Sequence, residues 1–362
     1  MTLDDLRRFA VARSLFEPVT LKRAVEKLGF VQADPIRAPA RAQDLILRHR
    51  VRGYRAGDLE RRYASLGIEE DVFVNYGFVS SAVHALMHPR AKRRPPATSP
   101  RTRAERVLTY VRERGEVHPR EVDGYFAHGT VTNYWGGSSS ATTRLLEEMH
   151  YTGLLRIARR ERGIRIYAVR ENAAVTDAPP PRDRVDALVD VAVRQYAPLP
   201  ALSLSNLIGR LRYATPQWRR ELKAALDRAR RRLAHSRVDG IDWYWPAGER
   251  PSTGAPPHTV RLLAPFDPVV WDRRKFELLW GWAYRFEAYT PVSKRKLGYY
   301  ALPLLWRDRV IGWGNLALTN GELHADVGYV SGGPPRERAF QRELDVELDR
   351  MRVFLKPAGA AR

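Results

Sequence analysis

Three proline-rich interruptions, near Pro89–Pro100, Ala173–Pro181 and Pro246–Pro257, cut this chain into four blocks. Proline removes a backbone donor and restricts the residue before it, so regular structure rarely runs through such stretches. The blocks are 1–95, 96–175, 182–246 and 258–362, each the size of a small domain. A chain of 362 residues is expected to hold several such units.

The first block reads as helical. Helices are expected over Leu3–Leu15, Thr20–Leu28, Ala40–Arg50, Ala56–Ser65 and Asp71–Met87. Leu21, Ala24, Val25 and Leu28 fall on one helical face, and Gly29 is a stop signal. The second block predicts helices at 102–114 and His118–Phe126, and a third opened by Trp135-Gly136-Gly137-Ser138-Ser139-Ser140. A hairpin follows, Leu154–Ala158 with Ile164–Val169, tipped by Arg159-Arg160-Glu161-Arg162-Gly163. Three helices and an Arg-tipped hairpin predict a winged helix. The third block repeats the theme, with a helix over Pro216–Leu233 and a reduced wing near Val238–Tyr244. In the fourth, Arg307-Asp308-Arg309 and Asn320-Gly321 separate the alternating runs Tyr299–Trp306, Val310–Leu318 and Glu322–Val330. Asn-Gly between such runs is a strong hairpin signal, and successive hairpins suggest a small barrel or curled sheet. A helix over Pro335–Val353 closes the chain. The expected class is α+β: about three tandem winged-helix domains, a small C-terminal β-barrel and a terminal helix.

Charge narrows the partner. There are 62 Lys and Arg against 41 Asp and Glu, a net charge of +21. Arginine dominates, and its fork binds two phosphate oxygens at once. A polyanion held by salt-sensitive contacts is the expected partner. The basic linker Arg90–Arg106 is either a phosphate track or simply solvated. With no cysteine, disulfides and cysteine-ligated metals are excluded, which fits a reducing cytoplasm. The nine histidines show no clustered metal-ligand spacing, so neither a metal nor another cofactor is expected. The start Met1-Thr2-Leu3-Asp4-Asp5 lacks a signal-peptide apolar region, and no apolar run is long enough to span a bilayer. A monomer in the cytoplasm, associated with the nucleoid, is expected.

The stretch with the most chemistry is Gln32-Ala33-Asp34-Pro35. Extended backbone would turn Gln32 and Asp34 the same way, making an amide and a carboxylate one wall. A plainer reading is also open: Asp before Pro often caps a helix, with Pro at its first position.

This motif resembles the signature of the winged-helix alkylpurine DNA glycosylases, the AlkZ and AlkX/YcaQ group. Gln32-Ala33-Asp34 matches the Gln-x-Asp variant associated with AlkX/YcaQ. The blocks Leu262-Leu263-Ala264-Pro265-Phe266-Asp267-Pro268 through Trp271-Asp272-Arg273-Arg274, and Lys294 to Leu305, also resemble that family. Asn75-Tyr76-Gly77-Phe78 departs from the aromatic-Trp-x-His element of many relatives. The resemblance implies a metal-free monofunctional glycosylase acting on N7-alkylated purines in duplex DNA, in some relatives on interstrand crosslinks. Asp34 would be the catalytic carboxylate and Gln32 its partner. The DNA contacts expected are Arg37, Arg41 and Arg48 after the motif, Ser138 and Ser139 at a helix start, Arg159, Arg160 and Arg162 on the wing, and Arg307 and Arg309 on a barrel hairpin. A non-catalytic winged-helix regulator and an RNA-binding protein are the alternatives.

Overall fold

The computed structural model describes residues 1–90, 100–132, 137–171, 179–251 and 254–356. The linker cations Lys92, Arg93 and Arg94, and the Trp135-Gly136 opening of the expected third helix, lie outside the described residues.

The chain begins with α1 (Leu3–Ser14), capped by Thr2 and Asp5 in a reciprocal capping box. The first unit follows: α2 (Leu21–Leu28), β1 (Phe30–Gln32), α3 (Ala42–Leu47), α4 (Asp58–Arg62), β2 (Ile68–Val72), β3 (Tyr76–Ser80) and α5 (Ser81–Met87). The second contains α6 (Pro100–Arg114), β4 (Glu116–Val117), α7 (Pro119–Phe126), the ribbon β5 (Thr130–Thr132) with β6 (Ser138–Ser140), α8 (Ala141–Thr152), β7 (Leu155–Glu161) and β8 (Ile164–Val169). The third contains α9 (Pro181–Tyr196), β9 (Leu199–Pro200), α10 (Ala201–Arg210), α11 (Leu222–Arg232), β10 (Ala234–Val238) and β11 (Ile241–Trp245). In every unit the early strand pairs with the last strand of the hairpin, giving sheet orders β1-β3-β2, β4-β8-β7 and β9-β11-β10. The same order of helix, strand, helices and hairpin thus recurs three times.

Two sequence expectations are corrected here. Asp71–Met87 is not one helix, because its first half is the antiparallel pair β2 and β3. Phe30 and Val31 of β1 pair with Val79 and Phe78, and this long-range pairing overrides local helical pattern. Gly77 is the residue that permits it, since a Cβ there would lie 2.3 Å from the Val31 carbonyl oxygen. Likewise Ser138–Ser140 does not open a helix. It is a strand paired with Thr130–Thr132, and only Ser140 caps α8, accepting from the Thr143 N–H at 3.2 Å.

The fourth block holds β12 (Val260–Leu262), α12 (Arg273–Trp280), β13 (Leu302–Trp306), β14 (Arg309–Thr319), β15 (Glu322–Tyr329) and α13 (Arg338–Leu355). Its sheet has the order β12-β13-β14-β15 and is antiparallel throughout. The expected small barrel is not closed: among the described residues β15 does not pair back to β12, and the four strands form an open sheet. The Asn320-Gly321 turn has φ of 52° and 84°, as a tight primed hairpin requires. Phe340, Leu344, Met351 and Phe354 form the buried face of α13, which packs on β12.

The proline-rich breaks do not separate the cores. One apolar cluster runs from Leu21 and Ile46 through Val111 and Leu146 to Leu302 and Phe340. A second joins Leu6 and Phe73 to Leu188, Leu207 and Trp243. A buried ion pair fastens the ends: Arg50 donates to both oxygens of Asp267 at 2.8 and 3.0 Å, and both side chains are fully buried. No helix among the described residues is long and apolar enough to cross a membrane.

Candidate functional site

Gly29, with φ of 77°, ends α2 and turns the chain into β1. The strand stops at Gln32, and no helix starts at Pro35; the next one begins only at Ala42. Asp34 is therefore not a helix cap. Its Oδ1 accepts the Ile36 N–H at 2.9 Å, the side-chain-closed turn typical of Asp before a bend. Its own N–H donates to Gln43 Oε1 at 3.3 Å.

The carboxylate of Asp34 is half-buried, and among the described residues it has no cation within ion-pair distance. Of the arginines that follow it, Arg37 is exposed and the next three are otherwise engaged. Arg41 pairs with Glu60, Arg48 with Glu347 and Arg50 with Asp267. Burial raises the pKa of Asp34, and the Ile36 N–H offsets only part of that. The result is a carboxylate whose negative charge is left uncompensated by the fold.

Gln32 lies deeper, at 3% exposure. Its Oε1 accepts from Trp271 Nε1 at 2.9 Å. An indole N–H can only donate, so this contact decides the amide's orientation and turns its NH2 group the other way. Trp271 is itself held by Tyr196, with ring centroids 4.6 Å apart, and by the Arg210 guanidinium 5.3 Å from its ring. Sequence reading singled out the block containing Trp271 without assigning it this contact. It gave Gln43 and Tyr300 no role at this site, and it missed Tyr289. Tyr300 is 3% exposed with an unpartnered hydroxyl; burial first and the Asp34 charge second keep that phenol protonated. Tyr289 is exposed and also feels the Asp34 charge, after its own partial desolvation.

The arginines among the expected DNA contacts fall into three sets. Arg37 and Arg162 are exposed, and the Arg162–Gly163 turn brings the β7–β8 tip against Arg41. A Cβ on Gly163 would sit 2.7 Å from Arg41 Nη2, so the second unit's wing touches the Asp34 loop. Arg159, Arg307 and Arg309 are partly exposed, but each has a carboxylate partner: Arg159 has Glu116 and Glu161, Arg307 has Glu337 and Arg309 has Asp4. Arg48 and Arg160 point inward. Arg48 is 4% exposed in its side chain and has no surface to offer a phosphate. Arg160 donates to both oxygens of buried Glu70 at 2.8 and 2.6 Å, clamping the wing to β2. These two assignments are corrected, because burial demanded a counter-charge that local sequence does not reveal. Ser138 is exposed and Ser139 half-buried on the β6 ribbon, immediately before the Ser140 cap of α8.

The histidines also depart from expectation. Ligand atoms of Asp71, His84 and His88 lie within 4.8 Å of one another. Asp71 Oδ2 is 2.6 Å from His88 Nε2 and 3.4 Å from His84 Nε2. Arg90 already takes the other oxygen at 2.8 Å, so a fixed positive charge neutralises this carboxylate. Burial opposes ionisation of Asp71, but Arg90 and His88 outweigh it and hold the carboxyl well below the usual range. Burial lowers the pKa of both imidazoles. A cation would enter beside Arg90, which makes the cluster a poor metal site and a good buried polar junction.

The fold matches the Streptomyces sahachiroi DNA glycosylase AlkZ, with a TM-score of 0.61 at 14% identity, over 98% of this chain and 96% of that one. The family model described as DNA glycosylase AlkZ-like matches residues 25–354. From within α2 onward that span holds the three recurrent units, with the Asp34 turn and Trp271, and it places this chain in the AlkZ-like family of DNA glycosylases.

Proposed function

We propose that this glycosylase hydrolyses the N-glycosidic bond of N7-alkylated purines in duplex DNA. Alkylation at N7 makes the base a cation, so it departs without being protonated. Positive charge then grows on the sugar, and a water must attack it. An uncompensated carboxylate serves both needs: it stabilises an oxocarbenium-like sugar and accepts the water's proton. Asp34 is assigned that role, and the observation that carries it is its lack of a cationic partner beside three neighbouring arginines that each have one. With its oxygen held by Trp271, Gln32 offers amide N–H groups to the sugar or the water. Because Asp34 is not sealed in, bulky N7 adducts, including interstrand crosslinks, belong to the proposed substrate range.

The three recurrent units are read as winged helices within 1–95, 96–175 and 182–246, acting with the open sheet of 258–362 as a backbone-binding frame for a monomer. Sequence readout is not required of such a frame. Of the expected contacts, Arg37 and Arg162 are retained: both are exposed, neither has a carboxylate partner among the described residues, and the Arg162–Gly163 tip lies against Arg41.

Duplex DNA bearing N7-methylguanine, incubated with the purified protein, is expected to release free base and leave alkali-labile sites. Asp34→Asn keeps the size and the Ile36 contact while removing the charge. It should lower the single-turnover rate by about 10²–10³ with little change in DNA affinity, the range seen when one electrostatic stabiliser is lost. Equal rates for the two proteins would remove Asp34 from the chemistry.

A further inference from the structure

Between α12 and β13 the chain runs through residues 281–301 with only one short helical turn, Val292–Lys294. Among the described residues, the two most exposed large apolar side chains are both here, Tyr289 at 79% and Val292 at 76%. Tyr299 adds a third. An apolar tip in water needs a reason, and a slack loop is not the reason here, because the base of this one is firmly anchored.

Glu287 is buried and its Oε2 accepts the N–H groups of Lys296 and Leu297 at 2.9 and 2.7 Å. Arg295 Nε donates to the Thr290 carbonyl at 2.8 Å and its guanidinium lies 5.0 Å from the Tyr299 ring. Asn315 of β14 donates to the Leu297 carbonyl at 2.7 Å. It also fills the space beside Gly298, whose φ of 113° and missing Cβ allow that approach. Beneath the tip, Phe286 packs edge-on against Tyr289, Tyr300 and Phe266. Lys294, Arg295 and Lys296 give the same segment a basic flank.

A pre-organised aromatic with cations beside it suits a nucleotide: the ring stacks on a base while the cations follow the phosphates. The loop is tied to the Gln32–Asp34 wall through the 266–271 turn: Phe286, beneath Tyr289, packs on Phe266 with ring centroids 5.3 Å apart, and Trp271 of the same turn donates to Gln32.

We propose that Tyr289 is the platform on which the damaged base stacks, and that its π face favours the cationic N7-alkylpurine over a neutral purine of the same shape. This rests on the reading of the enzyme as an N7-alkylpurine glycosylase. A positive ring over a tyrosine face gains electrostatically as well as by stacking. Tyr289 thereby sets specificity as well as affinity, and Tyr289→Phe retains the function because the face, not the hydroxyl, does the work.

The test compares wild type, Tyr289→Phe and Tyr289→Ala on two duplexes that the enzyme cannot cleave. One carries 2′-fluoro-arabino N7-methylguanine, which is cationic; the other carries 7-methyl-7-deazaguanine, which is neutral. Wild type and Tyr289→Phe should prefer the cation. Tyr289→Ala should lose on the order of tenfold to a hundredfold in binding to the cationic duplex, and most of the preference, while its affinity for undamaged duplex is unchanged. Because the side chain is exposed, its thermal melt should match that of wild type. A Tyr289→Ala protein that keeps the preference, or a wild type that has none, overturns the proposal. If wild type releases N7-methylguanine from a cleavable duplex and Tyr289→Ala does so equally well, the platform alone is wrong. If wild type releases none, the glycosylase reading itself fails and the platform with it.

Discussion

At the scale of single residues, Asp34 shows how a common dipeptide acquires a special environment. Asp-Pro is ordinarily a helix start, and local sequence cannot separate that use from a catalytic one. The separation comes from Gln43 and Ile36, which close a turn, and from Glu60, Glu347 and Asp267, which absorb the nearby arginines. Desolvation of Asp34 has a measurable consequence. On the proposed mechanism its ionised form is the active one, and burial moves its pKa upward from the ordinary 3.8. Activity should therefore fall as pH drops through a value above that of a free carboxylate, with first-order dependence on protons below it. A single-turnover pH profile checks this. The acid limb should vanish from the residual activity of Asp34→Asn, and a limb centred at or below 3.8 would contradict the desolvation.

At the scale of elements, the three-residue strand β1 carries the site. Gln32 stands opposite Gly77 of β3. A Cβ at Gly77 would meet the Val31 carbonyl oxygen at 2.3 Å and Phe30 Cε2 at 2.5 Å. Gly77→Ala is expected to force β1 away from β3. It should cost about 1–3 kcal/mol, the usual range for overpacking, and carry Gln32 off Trp271. Urea denaturation should show the loss in midpoint, and the catalytic rate should fall along with it. Activity unchanged despite lost stability would separate the strand's position from the site's. The β2–β3 hairpin is also where sequence reading went most astray. Phe73, Val74, Phe78 and Val79 suit either a buried helix or a strand, and only the pairing with β1 decides between them. By contrast the Asn320-Gly321 turn and the Gly29 stop of α2 were legible, because each depends on residues within one turn of the chain.

At the scale of the molecule, the joints between units rest on buried charge. The Arg90 guanidinium donates to Asp71 and the Val72 carbonyl in the first unit, the Tyr151 carbonyl in the second and the Ala214 carbonyl before α11 in the third. Arg160 with Glu70 fastens the second unit's wing to the first unit's sheet. Arg90→Met should strand a buried carboxylate and three carbonyls, costing about 3–5 kcal/mol, as breaking one side of a buried pair does. Thermal unfolding should show this as a lower midpoint; a change under 1 kcal/mol, the scale of an exposed pair, would mean the joint is not held by that charge. What the sequence determined by itself was local or additive: helix faces from apolar spacing, turn types from Asn and Gly, and a cationic surface from the excess of arginine. What only the tertiary structure decided was which of those arginines are free. Arg48 meets Glu347 and Arg50 meets Asp267 across more than two hundred residues, and Trp271 reaches Gln32 across 239. A charge entering a dry interior must find its counter-charge wherever the fold brings one, and that position is not written in its neighbours.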